Sequence, residues 1–185
     1  MGIYFENETF EKLEGLDGEE YEGCSFIDCN FAGADFSEKV FSECEFIGCN
    51  LSTAKLIDTA LRDISFKNCK MLGLHFTTCN DFLFAVRFEE CVLDMCLFMD
   101  RRLKETVFKA STLRDADFTD ADLTAAVFED CDLTKATFVN TILEKADLRS
   151  SYNYSLDPEL NRIRGARFSS LGLAGLLGKY EIFLD

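Results

Sequence analysis

Residues 116 to 148 read ADFTDADLTAAVFEDCDLTKATFVNTILEKADL, and every fifth residue from Phe118 onward is phenylalanine or leucine. The same period reaches back to Phe88, so thirteen large apolar residues follow one another at a spacing of five. An earlier run keeps this period from Leu16 to Phe76 but is displaced by two residues, which predicts a two-residue insertion around Asn80-Asp81-Phe82. The chain is therefore a repeat protein.

The position two residues before each large residue prefers a small side chain. It holds alanine, serine or threonine in many units and all nine cysteines in others: Cys24, Cys29, Cys44, Cys49, Cys69, Cys79, Cys91, Cys96 and Cys131. No cysteine belongs to a C-x-x-C or Cys/His cluster, so we interpret the thiols as small core residues of a reducing compartment. The sequence predicts no disulfide, no metal and no other cofactor.

A period of five fits neither a helix, which repeats at about 3.6 residues, nor a strand, which repeats at about 2. A solenoid accommodates it, because each unit forms one side of a coil and points its large and small residues inward. Such a filled interior offers no cleft. The single histidine, His75, is expected to point outward, and carboxylate pairs such as Asp115 and Asp117 lie at solvated positions. An enzyme is not expected.

The repeat resembles that of the pentapeptide-repeat proteins, whose consensus A-(D/N)-L-x-x matches Ala116-Asp117-Phe118, Ala121-Asp122-Leu123 and Ala146-Asp147-Leu148 over a region of residues 16 to 168. The resemblance implies an all-β fold, a right-handed quadrilateral β-helix with four units per coil, so that residue n stacks on n+20. Under that stacking one column contains Phe88, Phe108 and Phe128. The opposite column contains Phe98, Phe118 and Phe138.

One domain with a C-terminal segment is expected. Residues 1–168 form the β-helix, with a register shift near 77–83 and an interruption near 151–160. In residues 169–185, Ser169 or Ser170 caps a short helix that ends at Gly178, and a strand follows from Tyr180. This apolar segment either caps the last coil or forms a two-fold interface with a second copy through Leu171, Leu173, Leu176, Leu177, Tyr180, Ile182, Phe183 and Leu184.

The net charge of −15 is unevenly distributed. Residues 1–50 contain 13 acidic and two basic residues, and residues 115–147 contain nine acidic and two basic residues. The second zone gives the candidate contact surface: Asp115, Asp117, Asp120, Asp122, Glu129, Asp130 and Asp132. A dimeric rod of about 70 Å would carry about one net charge per 2.3 Å, against about one per 1.7 Å in duplex DNA. The charge either maintains solubility or imitates nucleic acid.

Basic residues interrupt the acidic pattern in the middle of the chain. Lys39 and Arg101 occupy inward small positions, where we expect bulged corners whose charged groups reach water. Arg101 also begins a basic belt with Arg102, Lys104, Lys109 and Arg114, so contact with a partner is expected on some faces only. The sequence has no signal peptide, no apolar run of about 18 residues and no lipidation motif, which favours a cytoplasmic protein without a membrane partner.

The C-terminal region, through Leu156-Asp-Pro-Glu-Leu-Asn-Arg-Ile163, resembles the Qnr and Mfp quinolone-resistance group and the immunity protein of the microcin B system. That resemblance implies a homodimer joined at its C-terminal ends. It also implies a DNA mimic that binds DNA gyrase or topoisomerase IV, protects it from quinolones or peptide toxins, and does not itself bind nucleic acid. The unbroken register from Phe88 to Leu148 leaves no room there for the protruding loops of many Qnr proteins. The alternative is an interaction or structural module with an unrelated partner.

Overall fold

The computed structural model describes residues 2 to 182, which contain short, parallel β-strands. Their bounds are β1 Tyr4–Glu6, β2 Thr9–Glu11, β3 Glu20–Glu22, β4 Ser25–Ile27, β5 Val40–Ser42, β6 Glu45–Ile47, β7 Ala60–Arg62, β8 Ile64–Lys67, β9 Val86–Glu89, β10 Val107–Lys109 and β11 Val127–Glu129. One sheet has the order β1-β3-β5-β7 and the other β11-β10-β9-β8-β6-β4-β2.

Paired residues on neighbouring coils are usually twenty apart, as in Phe26 with Phe46 and Phe108 with Phe128. Single bridges such as Leu97 with Asp117 continue this register on the sides without named strands. The predicted quadrilateral β-helix is confirmed.

Two coils differ in length from the others. The pairing of Phe66 with Phe88 shows a coil of 22 residues, and the pairing of Phe5 with Tyr21 shows a first coil of 16. Phe5 stacks on Tyr21 with ring centroids 5.4 Å apart. The β-helix therefore begins before Leu16, where the sequence register starts.

The inward residues form four columns, which define four walls. Wall 1 contains Phe5, Tyr21, Phe41, Leu61, Leu103, Leu123 and Leu143; wall 2 contains Phe10, Phe26, Phe46, Phe66, Phe88, Phe108, Phe128 and Leu148; wall 3 contains Phe31, Leu51, Met71, Leu93, Leu113 and Leu133; wall 4 contains Phe36, Leu56, Phe76, Phe98, Phe118 and Phe138. The rings of Phe108 and Phe128 stack at 4.8 Å, and Phe98 meets Phe108 edge-on at 6.0 Å. The predicted phenylalanine columns are confirmed, and their offset stacks fill the interior.

The nine cysteines are buried and free. Cys69 Sγ donates to the carbonyl of Phe46 on the preceding coil at 3.2 Å. Ser151, in the same column, donates its hydroxyl to Phe128 at 2.8 Å. Cysteine and serine therefore play one structural part at the small position, as the sequence predicts.

Two short 3₁₀ helices, Ser170–Leu176 and Gly178–Tyr180, close the described chain. Ser169 Oγ accepts the N–H of Gly172 at 3.1 Å, so Ser169 is the cap. The strand predicted from Tyr180 is wrong at its start, because Tyr180 ends a 3₁₀ helix and Glu181 is left-handed with φ 49°. Phe183 and Leu184 lie outside the described residues.

Candidate interaction surfaces

Backbone geometry explains many acidic residues of this chain. The residue two positions after most central residues has a positive φ, as in Asp115 (54°), Asp120 (59°) and Asp130 (53°). Asparagine, aspartate and glycine adopt this left-handed conformation most readily. The residue before the centre closes the turn: Asp117 Oδ1 accepts the N–H of Thr119 at 2.8 Å. Part of the acidic composition thus has a local structural cause.

The predicted acidic surface is divided among the walls. Asp117 lies on wall 4, and Asp115 and Asp120 lie at its two corners. Glu129 lies on wall 2 and Asp130 at the corner that follows it. The structure therefore brings together only Asp115, Asp117 and Asp120 of the seven predicted contact residues.

Asp122 on wall 1 is partly neutralised, because Lys104 Nζ lies 3.1 Å from its carboxylate. Burial acts to raise the pKa of Asp122, but hydrogen bonds from Thr124 and the contact with Lys104 outweigh it and lower the pKa.

The prediction that Asp132 belongs to the contact surface is wrong. It lies on wall 3 with only 4% of its surface exposed, and it accepts hydrogen bonds from Arg114 and Asn153. Its carboxylate is a structural group, since its charge is already satisfied within the chain.

An interrupted line of acidic residues follows the corner between walls 4 and 1, and sequence reasoning named only Asp120 among them. We call Glu38, Asp58, Asp100 and Asp120 the acidic ridge; all four are exposed and have positive φ. Glu38 N–H donates to Ile57, Asp58 N–H to Thr78 and Asp100 N–H to Thr119, so ridge residues stack coil on coil. Neighbouring coils are about 4.8 Å apart. The signal was present as acidic residues at the same left-handed position on four coils, although the coil between Asp58 and Asp100 has Thr78 at the corresponding place.

Cations are scarce on the ridge side of the molecule. Between the corners of wall 4, from Asp35 to Asn140, Lys55 is the one outward lysine or arginine, 3.8 Å from Asp35. Lys135 lies at the far corner, next to wall 3. Within residues 2 to 182, neither Glu38, Asp100 nor Asp120 forms an ion pair. Most of the negative charge on wall 4 is therefore uncompensated along the length of the rod.

The basic belt does not cross wall 4. Arg102 and Lys104 lie on wall 1, Lys109 lies on wall 2 against Glu89, and Arg114 lies on wall 3 against Asp132. Each of these three walls is partly neutralised where the belt passes.

Arg101 was predicted to reach water, and this is wrong: the residue is only 4% exposed. Its guanidinium donates to the carbonyl of Cys79 at 2.9 Å and pairs with Asp81 at 2.7 Å. The longer coil brings the buried Cys79 carbonyl and the exposed Asp81 carboxylate within reach of the guanidinium, so the cation has partners that the sequence did not reveal. Lys39 is half-buried and donates to the Gly18 carbonyl at 2.6 Å.

The C-terminal end combines a packed side with an exposed side. Leu156 N–H donates to Gly175, and a Cβ added at Gly172 or Gly175 would collide with Tyr154, so the 3₁₀ segment fits closely on the last coil. On the other side, Leu171 is 94% exposed. Leu173, Tyr180 and Ile182 are also exposed, while Leu176 and Leu177 are partly buried. The segment caps its own coil and still presents apolar side chains.

An open hollow of about 400 Å³ lies among Pro158, Leu173, Leu176, Leu177 and Tyr180. Within residues 2 to 182, no three histidine, cysteine or acidic side chains are grouped so that they could hold a metal ion. No helix in this range is long and apolar enough to cross a membrane.

A profile described as "Pentapeptide repeat region" matches residues 20–94 and 75–148. The chain belongs to the pentapeptide-repeat family. Its fold is similar to two structures of trypsin-treated QnrB1 variants, described as a plasmid-mediated fluoroquinolone resistance protein. Both have a TM-score of 0.63 at 17% and 18% identity and cover 100% of this chain and 98% of that one. Full-length QnrB1 matches at a TM-score of 0.46, with 20% identity over 97% of this chain and 100% of that one. No curated protein sequence matches.

Proposed function

We propose that this pentapeptide-repeat protein is a non-catalytic, cytoplasmic protein that binds a type II topoisomerase, DNA gyrase or topoisomerase IV, and protects it from quinolones or peptide toxins. The observation that carries the proposal is the acidic ridge on a wall with few cations. Regularly spaced carboxylates on a rigid rod can occupy a cationic groove that otherwise holds duplex DNA. The same charge disfavours direct binding of nucleic acid.

A dimer fits this function. The exposed leucines of the C-terminal segment would be buried against a second copy, and an end-to-end two-fold arrangement would double the length of the acidic rod. The similarity in fold to QnrB1, a fluoroquinolone resistance protein, supports the proposal that this solenoid also protects a drug target.

The test is a gyrase supercoiling and DNA-cleavage assay with purified protein, with and without a quinolone. We expect the protein to slow supercoiling or to reduce drug-stabilised cleavage at micromolar concentration. Parallel assays with topoisomerase IV and with a gyrase-directed peptide toxin identify the target and the antagonist. Unchanged activity in all of these assays would overturn the proposal.

A second candidate is an acidic interaction module with an unrelated partner. The left-handed corners favour it, because they select aspartate for the backbone conformation whether or not a partner exists. A monomer in solution that leaves both topoisomerases unaffected would support this candidate.

A further inference from the structure

Residues 80–84, which we call the bulge, interrupt the acidic ridge between Asp58 and Asp100. The two extra residues of the long coil lie here. Phe82 and Leu83 are each 64% exposed, although both are large apolar residues. An adjacent recess is bounded by Asp81, Leu83, Phe84, Asp100 and Arg102, which places Leu83 beside the next ridge residue. An apolar pair thus projects from the middle of an acidic line.

The bulge is held firmly at its base. Asn80 Oδ1 accepts the N–H of Phe82 at 2.9 Å, and Asn80 Nδ2 donates to Asp58 at 2.7 Å. Arg101 binds the Cys79 carbonyl and Asp81 from below. Phe84 packs against the core, and the central carbon of the Arg101 guanidinium lies 4.5 Å from the centre of the Phe84 ring. A contact point held in this way loses little conformational entropy on binding.

The stability of the fold does not explain why residue 83 is a leucine. It has φ 57°, a conformation that costs a residue with a Cβ about 1–2 kcal/mol. Its exposed side chain gains little burial in return. Asparagine or glycine would suit this backbone better, as they do at other corners of the coil.

We propose that Phe82 and Leu83 insert into a hydrophobic recess of a partner protein whose surrounding surface is cationic. Asp81 is paired with Arg101, but Asp58 and Asp100 form no ion pair within residues 2 to 182, so they would repel a second copy of this acidic chain and attract lysine or arginine. Two exposed apolar side chains surrounded by charged residues match the apolar centre and polar rim of a protein–protein interface. A DNA duplex offers no such side chains, so the contact adds to any imitation of DNA. This inference rests on the proposed function and specifies the topoisomerase surface that it requires.

The variants F82S and L83N test the inference. Asparagine suits the left-handed backbone, so L83N removes the apolar side chain without strain. The matched control is M95N, because Met95 has φ 58° and 54% exposure but lies at the corner between walls 3 and 4. Thermal unfolding of each variant verifies that the fold is retained.

The measurement is the Kd of each protein for purified gyrase and topoisomerase IV at two salt concentrations. We expect F82S and L83N each to raise Kd by about tenfold, mainly through faster dissociation, while M95N leaves it within about twofold. Wild-type affinity in both bulge variants would overturn the inference and leave the proposed function standing. A change in self-association alone would also overturn it. If wild-type protein binds neither enzyme, the proposed function fails, and this inference fails with it.

Discussion

Arg114 and Asp132 form an ion pair between neighbouring coils, with Arg114 Nε 2.8 Å from Asp132 Oδ2. Asn153 donates to Oδ1 of the same carboxylate at 3.0 Å, and Thr134 donates through both its N–H and its hydroxyl. Burial acts to raise the pKa of Asp132, but these donors outweigh it and lower the pKa from 3.8 to about 2. The charged carboxylate therefore joins three coils.

Replacing Asp132 with asparagine should destabilise the protein at neutral pH. Because the folded pKa is depressed, the stabilisation is present above the unfolded value of about 3.8 and is lost as pH falls towards about 2. The shift corresponds to about 2 kcal/mol at pH 7. Urea denaturation at pH 7 and near pH 2 measures the free energy of unfolding. D130N, at an exposed corner, is the control and should change it by less than about 0.5 kcal/mol. A D132N loss that is equal at both pH values would contradict the assignment.

The core could be predicted from the sequence because the interior admits one pattern. Each inward position needs either a large or a small apolar side chain, so a period of five identifies both. The columns of Phe88 and Phe98 follow directly from it. The five-residue register could be read only from Leu16 onward, because the 16 residues of the first coil break the spacing of twenty before Phe5 and Phe10 can join it.

The charged surface could be predicted only in part. Asp117 and Asp122 are five residues apart in the chain but lie on walls 4 and 1, whereas Asp100 and Asp120 are twenty apart and line one corner. Neutralisation across coils, as between Lys104 and Asp122, depends on which side chains stack, and composition along the chain does not reveal it. The buried position of Arg101 depends on carbonyl groups that only the longer coil turns inward.

The cysteines of the folded protein should react slowly with thiol reagents. All nine thiols are buried, which keeps a reagent away from them. Burial also raises the pKa of Cys44 to about 11 and those of Cys96 and Cys131 to about 12, so the reactive thiolate of these three is scarce at neutral pH. A colorimetric disulfide reagent at about pH 8 should therefore label the native protein slowly and all nine thiols after unfolding in guanidinium. Rapid labelling of any thiol in the native state would contradict this account.

Arg101 should be important for stability despite its charge. Replacing it with methionine leaves the Cys79 carbonyl without its donor in a buried environment, a loss of about 2–3 kcal/mol. The exposed neighbour Arg102 provides the control, since R102M should change the free energy of unfolding by less than about 0.5 kcal/mol. Urea denaturation of the two variants compares them directly, and equal effects would refute the structural role of Arg101.

Association through the C-terminal end can be tested with charge. The double variant L171E/L173E adds two carboxylates to the exposed side of the 3₁₀ segment, where a second copy would add two more. We expect sedimentation velocity to show a dimer for the wild type and a monomer for this variant. The control I57E alters an equally apolar residue, 58% exposed on wall 4, and should remain dimeric. A monomeric wild type or a dimeric L171E/L173E variant would exclude this interface.

Two acidic surfaces are candidates for the topoisomerase contact, the acidic ridge and the part of the sequence-predicted surface that lies on wall 2, and charge-removing variants distinguish them. The variant D100N/D120N removes two charges from the ridge, and asparagine keeps the left-handed corners. The variant E129Q/D130N removes the same charge from wall 2 and its corner. If the ridge lies against a cationic groove, D100N/D120N should raise Kd for gyrase or topoisomerase IV by about tenfold at low salt and reduce its salt dependence.

The control E129Q/D130N should remain within about twofold of the wild type, because its charges lie away from wall 4. Equal losses in the two double variants would mean that bulk charge attracts the partner, and the ridge would then have no particular part in recognition. A loss confined to E129Q/D130N would transfer the contact to wall 2, next to the ladder formed by Lys67, Glu89 and Lys109. The difference between the two variants therefore measures how far position, rather than net charge, determines binding.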